Sequence, residues 1–340
     1  MNDVLRCPYC LRTTSAKLQR KDNKSVYLCG EADCGLEIPR DYVDKLKIPR
    51  AIVGLVGFTG HGKTVYITAL FHLLHVMQNM WPGFYSRGLD THTIRNFYER
   101  IERLKEGELP EGTRANFPLP SLFHFHEVPN FGEWFLSFYD TSGEVFADRE
   151  LITQQGRFVA NSDVAVFFVS IPDNMSYSKV KRGNTDDWPA RTDELIDTYL
   201  NGVYDAMHVD LKHKQHLIVV LSKADVFLGK LPAEIEDFLM EGSYSWYTNL
   251  KTREEIISRL QQSSKYIRGW LKTQGCSGFV NKIEDNFKSV EYTMVSSIGA
   301  APVGDRLATK LMDEDPRRVL DPFLWILEKM RPRWWKKMLG

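Results

Sequence analysis

The chain has 340 residues, 43% of them hydrophobic and 26% charged, with 44 basic side chains balanced by 44 acidic ones. Such a chain fits one large domain with a small appendage, or two domains, of ordinary globular composition. Zero net charge excludes a global field that would gather nucleic acid or an anionic membrane, and the longest apolar runs, such as residues 164–169, are too short to span a bilayer.

Met1-Asn2-Asp3-Val4-Leu5-Arg6 runs straight into a cysteine motif, so no leader is expected and the chain reads as soluble and cytoplasmic. Four of the five cysteines fall in the first tenth of the sequence. Cys7-Pro8-Tyr9-Cys10 is a C-x2-C knuckle, and Cys29 and Cys34 form a wider second pair. Four thiolates suit tetrahedral structural zinc, which would supply the stability that so short a segment cannot gain by burial. Residues 1–48 are therefore expected to be a zinc ribbon. Free thiols or a disulfide are the alternatives, the latter disfavoured in a reducing compartment. Lys17, Arg20, Lys21 and Lys24 make the central loop of the ribbon mildly basic, which reads as a solvated face rather than a nucleic-acid contact. Cys276 stands apart as a packing residue, and residues 41–49 read as a linker.

Ala51-Ile52-Val53-Gly54-Leu55-Val56 reads as a buried strand, and a helix is expected from Thr64 to about Met80. Between them, Gly57-Phe58-Thr59-Gly60-His61-Gly62-Lys63-Thr64 fits G-x-x-x-x-G-K-[ST], the phosphate-binding P-loop. The glycines let the backbone aim successive N–H groups at a phosphate, with Gly57, Thr59, Gly60, His61, Gly62, Lys63, Thr64 and Val65 the expected contacts. Lys63 would neutralise β- and γ-oxygens, the Thr64 hydroxyl would bind Mg2+, and the positive end of the helix would face the anion.

Ile94, Phe97, Tyr98, Ile101 and Leu104 recur at helical spacing around residues 95–105, an extra amphipathic helix. A breaker-rich loop follows at 109–118, then two alternating runs at 122–128 and 133–139 with a hairpin signal between them. The second run ends in Asp140-Thr141-Ser142-Gly143-Glu144. Asp140 stands where a second Mg2+ contact is needed, and Gly143 would bring a bare N–H to a γ-phosphate. Buried strands at 163–171 and 215–221 come next, the latter ending in Ser222-Lys223-Ala224-Asp225, which fits the guanine motif [NTS]-K-x-D. The Asp225 carboxylate can accept from the N1–H and the N2 amino group of guanine, donors that adenine does not offer together. Lys223 would lie across the ring. A strand at 290–295 closes with Ser296-Ser297-Ile298, placed for a backbone amide to reach O6. Helical spacing at 192–208 and 254–271 covers the sheet, and 181–187 reads as a surface insertion. His124 and His126 share a strand face and could chelate, with no third ligand in view. Residues 331–338 mix cations with tryptophans, suiting a docked helix, a partner contact or a membrane surface.

With these stations in order, residues 50–300 resemble a Ras-like P-loop GTPase. The resemblance implies an α/β P-loop NTPase fold: a mostly parallel six-stranded sheet with helices on both faces, the hairpin at 122–139 supplying its one antiparallel edge strand. It implies domains at 1–48 (ribbon), 49–310 (GTPase with insertions) and 311–340 (C-terminal helix and tail). Thr113 is the candidate switch threonine for Mg2+ and the γ-phosphate, ahead of Thr91 and Thr93. No arginine sits three residues before it, so an internal arginine finger is not evident, and Arg114 and Arg87 are only substitutes for one. The ribbon, the extra helix and the tail at 320–325 are similar to prokaryotic double-GTPase proteins of conflict-system neighbourhoods. The implied function is a GTP-binding switch, cycling GTP and GDP with Mg2+ and signalling to protein effectors or a partner GTPase. Lys63, Thr113 and Glu144 are its implied catalytic set. Glu144 replaces the usual water-orienting glutamine, Thr59 a common glycine and Ser222 the usual asparagine. These departures keep open a hydrolysis-deficient GTP-binding scaffold assembled through the ribbon. The mildly basic ribbon loop leaves a third reading, a P-loop ATPase or kinase acting on nucleic acid.

Overall fold

Three runs of the sequence are apolar on both strand faces, and they can only be satisfied inside a sheet covered on both sides. In the computed structural model of the protein they are β6 (Arg50–Val56), β10 (Val164–Ser170) and β11 (His216–Ser222). The structure describes residues 4–21, 24–110, 119–147, 150–152, 158, 161–170, 188–207, 214–241, 243–248, 252–299, 307 and 316–332.

The seven-stranded sheet has the order β12-β11-β10-β6-β9-β8-β7. The additional members are β7 (Tyr85–Gly88), β8 (Ser121–Val128), β9 (Gly132–Asp140) and β12 (Ser289–Met294). From β12 to β9 all neighbours are parallel, while β8 is antiparallel to β9 and β7 to β8. The expectation of six strands is thus corrected to seven, and the hairpin strand β8 is not the edge. The edge is β7, whose alternately exposed Tyr85-Ser86-Arg87-Gly88 carries no apolar signal.

Alternation along each central strand feeds two layers. Ala51, Val53, Leu55, Val166, Phe168, Ile218 and Val220 face one core, with α2 (Lys63–Met77) and Phe97 of α3 (Thr91–Lys105). Ile52, Val56, Ala165, Phe167, Leu217 and Val219 face the other, with α4 (Trp188–Met207), α5 (Ala233–Met240) and α8 (Ser277–Asn286). A short helix α6 (Ser243–Thr248) lies between α5 and α7 (Arg253–Thr273). The long α7 contributes Ile256 and Leu260 to the first layer and Ile267 and Leu271 to the second. Its start is fixed by a capping box between Thr252 and Glu255. The last helix, α9 (Leu320–Met330), is no surface tail: Phe323, Leu324, Trp325, Ile326 and Leu327 are buried in the first layer. The membrane-contact reading of the tail, 331–338, falls mostly outside the described residues, and no described helix is long and apolar enough to cross a membrane.

The N-terminal segment forms a hairpin of β1 (Val4–Arg6) and β2 (Thr13–Ser15) and a three-stranded sheet of β3 (Lys17–Lys21), β4 (Lys24–Leu28) and β5 (Glu37–Ile38). The linker read at 41–49 contains a one-turn helix, α1 (Arg40–Asp44), too short for periodicity to reveal. Its exit is fixed by Arg50, whose guanidinium donates to the carbonyls of Tyr42, Lys45, Leu46 and Ile48. Leu5, Cys7, Cys29, Ile38, Tyr42 and Ile48 form a small core of their own, closed by Phe135 of β9.

Candidate functional site

After β6 the chain builds the sheet on one side through β7, β8 and β9 and then crosses to β10 on the other, so the strand order reverses at β6 and its carboxyl end is the topological switch point of the sheet. The loop Gly57–Gly62 turns there. Gly57, Gly60 and Gly62 take φ of +149°, +85° and +81°, values that side-chain-bearing residues adopt only with strain. A Cβ on Gly57 would lie 2.8 Å from the Phe168 carbonyl of β10, so that glycine is also required for space. Helix α2 opens directly after Gly62 with no side-chain cap, which leaves its first amides directed into the loop.

Lys63 is buried, and its Nζ donates to the carbonyls of Gly57 and Phe58 at 2.5 and 3.1 Å. Burial pulls its amine down to about 8, with the Asp140 carboxylate opposing. The loop is braced from behind. His61 Nδ1–H donates to the Phe168 carbonyl at 2.7 Å, and Ser222 Oγ donates to the His61 carbonyl at 2.8 Å. Ser222, which stands where the guanine motif usually has asparagine, ties the P-loop to the end of β11. The His61 ring thus braces the loop against β10.

The segment after β9 lies directly on the P-loop. Asp140 pairs with Leu55 across β9 and β6. A Cβ on Gly143 would come within 1.9 Å of the Thr59 nitrogen, so no other residue fits there without moving the backbone. Glu144, in contrast, is exposed. Asp140 faces Arg100 of α3, Nη1 to Oδ2 3.5 Å. Nothing in the sequence reading singled out Arg100. The signal was there: Thr93, Phe97, Arg100 and Leu104 share one helix face, and a cation stands in that apolar seam.

At the neighbouring strand end, Lys223 adopts a left-handed conformation (φ 59°, ψ 36°) that turns the chain sharply and projects Asp225. Ser296 Oγ donates to Asp225 Oδ1 at 2.6 Å and accepts from the Gly299 amide at 3.1 Å. Ser296 is itself clamped by a two-way backbone bridge to Arg317 (2.7 and 3.1 Å). Ser222, Lys223, Asp225, Ser296, Ser297 and Ile298 are thereby gathered on the ends of β11 and β12, next to the P-loop.

Thr113 and Arg114 lie outside the described residues. Thr93 is buried, its hydroxyl accepting from the Leu122 amide, and Thr91 opens α3. Arg87 is committed elsewhere, to Asp41 and to His124 Nδ1, so it is not at the P-loop. His124 and His126 do not chelate together: His124 Nε2–H donates to Glu133, and His126 stacks on Tyr85.

The sulfur atoms of Cys7, Cys10, Cys29 and Cys34 all lie within 4.8 Å of one another, with 4.0 Å between Cys7 and Cys34 and 3.7 Å between Cys10 and Cys29. Four thiolates about 2.3 Å from a tetrahedral zinc would stand about 3.8 Å apart. The cluster therefore fits zinc with little movement. Burial pushes the Cys7 thiol far up and that of Cys34 to about 11, so their thiolates need a cation. Cys276 is buried, its thiol pushed up to about 12, and takes no part.

A switch-point P-loop, an Asp-x-x-Gly segment packed on it and a supported guanine motif define a P-loop protein of GTPase-like type. Residues 51–265, well over half the chain, match the family model of Double-GTPase 2, and the chain belongs to that family. None of the curated proteins matches it.

Proposed function

We propose that the chain is a GTP-binding molecular switch with Mg2+-dependent, slow hydrolysis, acting in the cytoplasm on protein effectors. The observation that carries the guanine reading is Asp225, a carboxylate held in place by Ser296 beside the P-loop. In this reading Lys63 and the amides of Gly57 through Val65 hold the β- and γ-phosphates, Thr64, Thr113 and Asp140 hold Mg2+, and Gly143 donates its N–H to the γ-phosphate. Asp225 and Lys223 select the base, with Ser296, Ser297 and Ile298 closing around it. Bound Mg2+ would supply charge neutralisation between the β- and γ-phosphates. The Thr113 loop and Gly143 gain a contact only while a γ-phosphate is present, and that difference is what a partner can read. The family name suggests a second GTPase as one such partner.

The test is titration of fluorescent GDP, GTP and ATP analogues with Mg2+ against wild type and Asp225→Asn. Guanine preference in the wild type, lost in the variant, is expected. Equal ATP and GTP affinity in the wild type would sink it and return the chain to the generic P-loop NTPases.

The exposure of Glu144 favours a second reading, a GTP-binding scaffold assembled through the zinc ribbon. A solvated carboxylate repels the γ-phosphate and cannot donate to it. Multiple-turnover phosphate release, abolished by Lys63→Ala, would exclude that scaffold.

A further inference from the structure

Helix α3 is inserted between the P-loop helix and the hairpin, and it is docked firmly. Asp90 caps its first turn by accepting from the Thr93 amide at 2.7 Å. The Phe97 ring lies 4.5 Å from that of Phe71 on α2 and 4.9 Å from that of Phe123 on β8, and Leu104 is fully buried. These contacts fix which face of the helix points inward, and Arg100 is on it.

A guanidinium in an apolar seam is costly unless an anion answers it. Arg100 is about a quarter exposed (27%), and the anion that answers it is Asp140, 13% exposed and 3.5 Å away. Asp140 ends the strand beside β6, and Gly143, three residues on, touches the P-loop backbone at Thr59. Arg100 therefore stands at the mouth of the P-loop, on the side that the GTP reading gives to the terminal phosphate.

We propose that Arg100 is an internal arginine that contacts the γ-phosphate of GTP, with Asp140 as the carboxylate that holds it at the P-loop mouth. A divalent cation held by Asp140 would set like charge beside the guanidinium, and the terminal phosphate would then be an anion for it to answer. Its planar fork can give two parallel hydrogen bonds to phosphate oxygens, which an ammonium group cannot. GDP offers no such oxygens, so Arg100 distinguishes the two nucleotides. The proposal rests on the GTP-binding reading.

The experiment measures the affinities of GTP and GDP, each with Mg2+, by calorimetry on wild type, Arg100→Gln and Arg100→Lys, with thermal melting of each protein alone. Arg100→Gln should weaken GTP about tenfold, the scale of charge-assisted hydrogen bonds, and change GDP by less than about twofold. Arg100→Lys keeps the charge and the pairing with Asp140, so it should fold like wild type and still lose several-fold in GTP alone. Equal losses for GTP and GDP, or none in either variant, would overturn the proposal and leave Arg100 as a structural tie. A wild type that binds neither nucleotide would bring down the GTP reading itself, and the proposal with it. Guanine preference without an effect of Arg100 brings down the proposal only.

Discussion

At the scale of single residues, the end of the site that the GTP reading gives to guanine depends on a hydroxyl as much as on a carboxylate. Ser296 is fully buried and spends its proton on Asp225 while its oxygen accepts from Gly299. Removing it frees the carboxylate to swing toward water and removes a bond to an ionised group, worth about 1.5–3 kcal/mol. Ser296→Ala should therefore weaken guanine nucleotides by at least about tenfold, while ATP binding, which does not use Asp225, stays the same. Parallel titrations of GTP and ATP analogues check this, and an equal loss for both would mean that the loop itself had collapsed. Motif spacing was enough to set Asp225 and Ser296 on neighbouring strand ends, where they hydrogen-bond, because strand ends carry these residues at fixed offsets. It was not enough for Ser222 and His61. Their hydrogen bonds run to backbone carbonyls of other elements, and nothing in a local pattern encodes which carbonyl will be near.

At the scale of elements, the strands with continuous apolar runs were legible and the exposed edge strand β7 and the short helices α1, α5 and α6 were not. Their stability comes from what they pack on, not from their own periodicity. The clearest case is the junction where α9 begins. Arg318 and Asp321 are both about 2% exposed and form an ion pair at 2.8 Å, and Tyr247 of α6 donates its hydroxyl to the same carboxylate. The guanidinium also lies 4.5 Å from the ring centroids of Phe238 and Trp246. This pair anchors the chain one residue beyond Arg317, which clamps Ser296. Taking away one member of a buried pair leaves an uncompensated charge, costing about 3–5 kcal/mol. Asp321→Ala should lose stability on that scale in urea unfolding and also weaken GTP through the Ser296 loop. A loss under about 1 kcal/mol would show that the aromatic rings alone hold the arginine.

At the scale of the whole molecule, the ribbon is not a bead on a tether. Its first knuckle sits against the strand that carries Asp140: the Tyr139 hydroxyl donates to the Pro8 carbonyl, and the Tyr9 hydroxyl donates to Asp90, the cap of α3, at 3.2 Å. Arg6 reaches Asp163, which in turn accepts from the Ile52 amide of β6 at 2.8 Å. The sequence announced the four cysteines, yet the docking is invisible in it, since Tyr139 and Tyr9 read as ordinary strand and turn residues. Because Asp140 and Arg100 stand on the two elements that the knuckle touches, loss of the metal should be felt at the γ-phosphate side and not at the guanine side. Stripping zinc with a high-affinity chelator is expected to lower the melting temperature in a single transition, as zinc-binding energy is folding energy here. It should also reduce the preference for GTP over GDP while leaving the preference for GTP over ATP unchanged. In Tyr139→Phe the hydroxyl link is gone, so the same chelation should still destabilise the ribbon but disturb the GTP-to-GDP ratio less. Two separate melting transitions, with both preferences untouched by chelation, would instead make the ribbon an independent module that leaves the site alone.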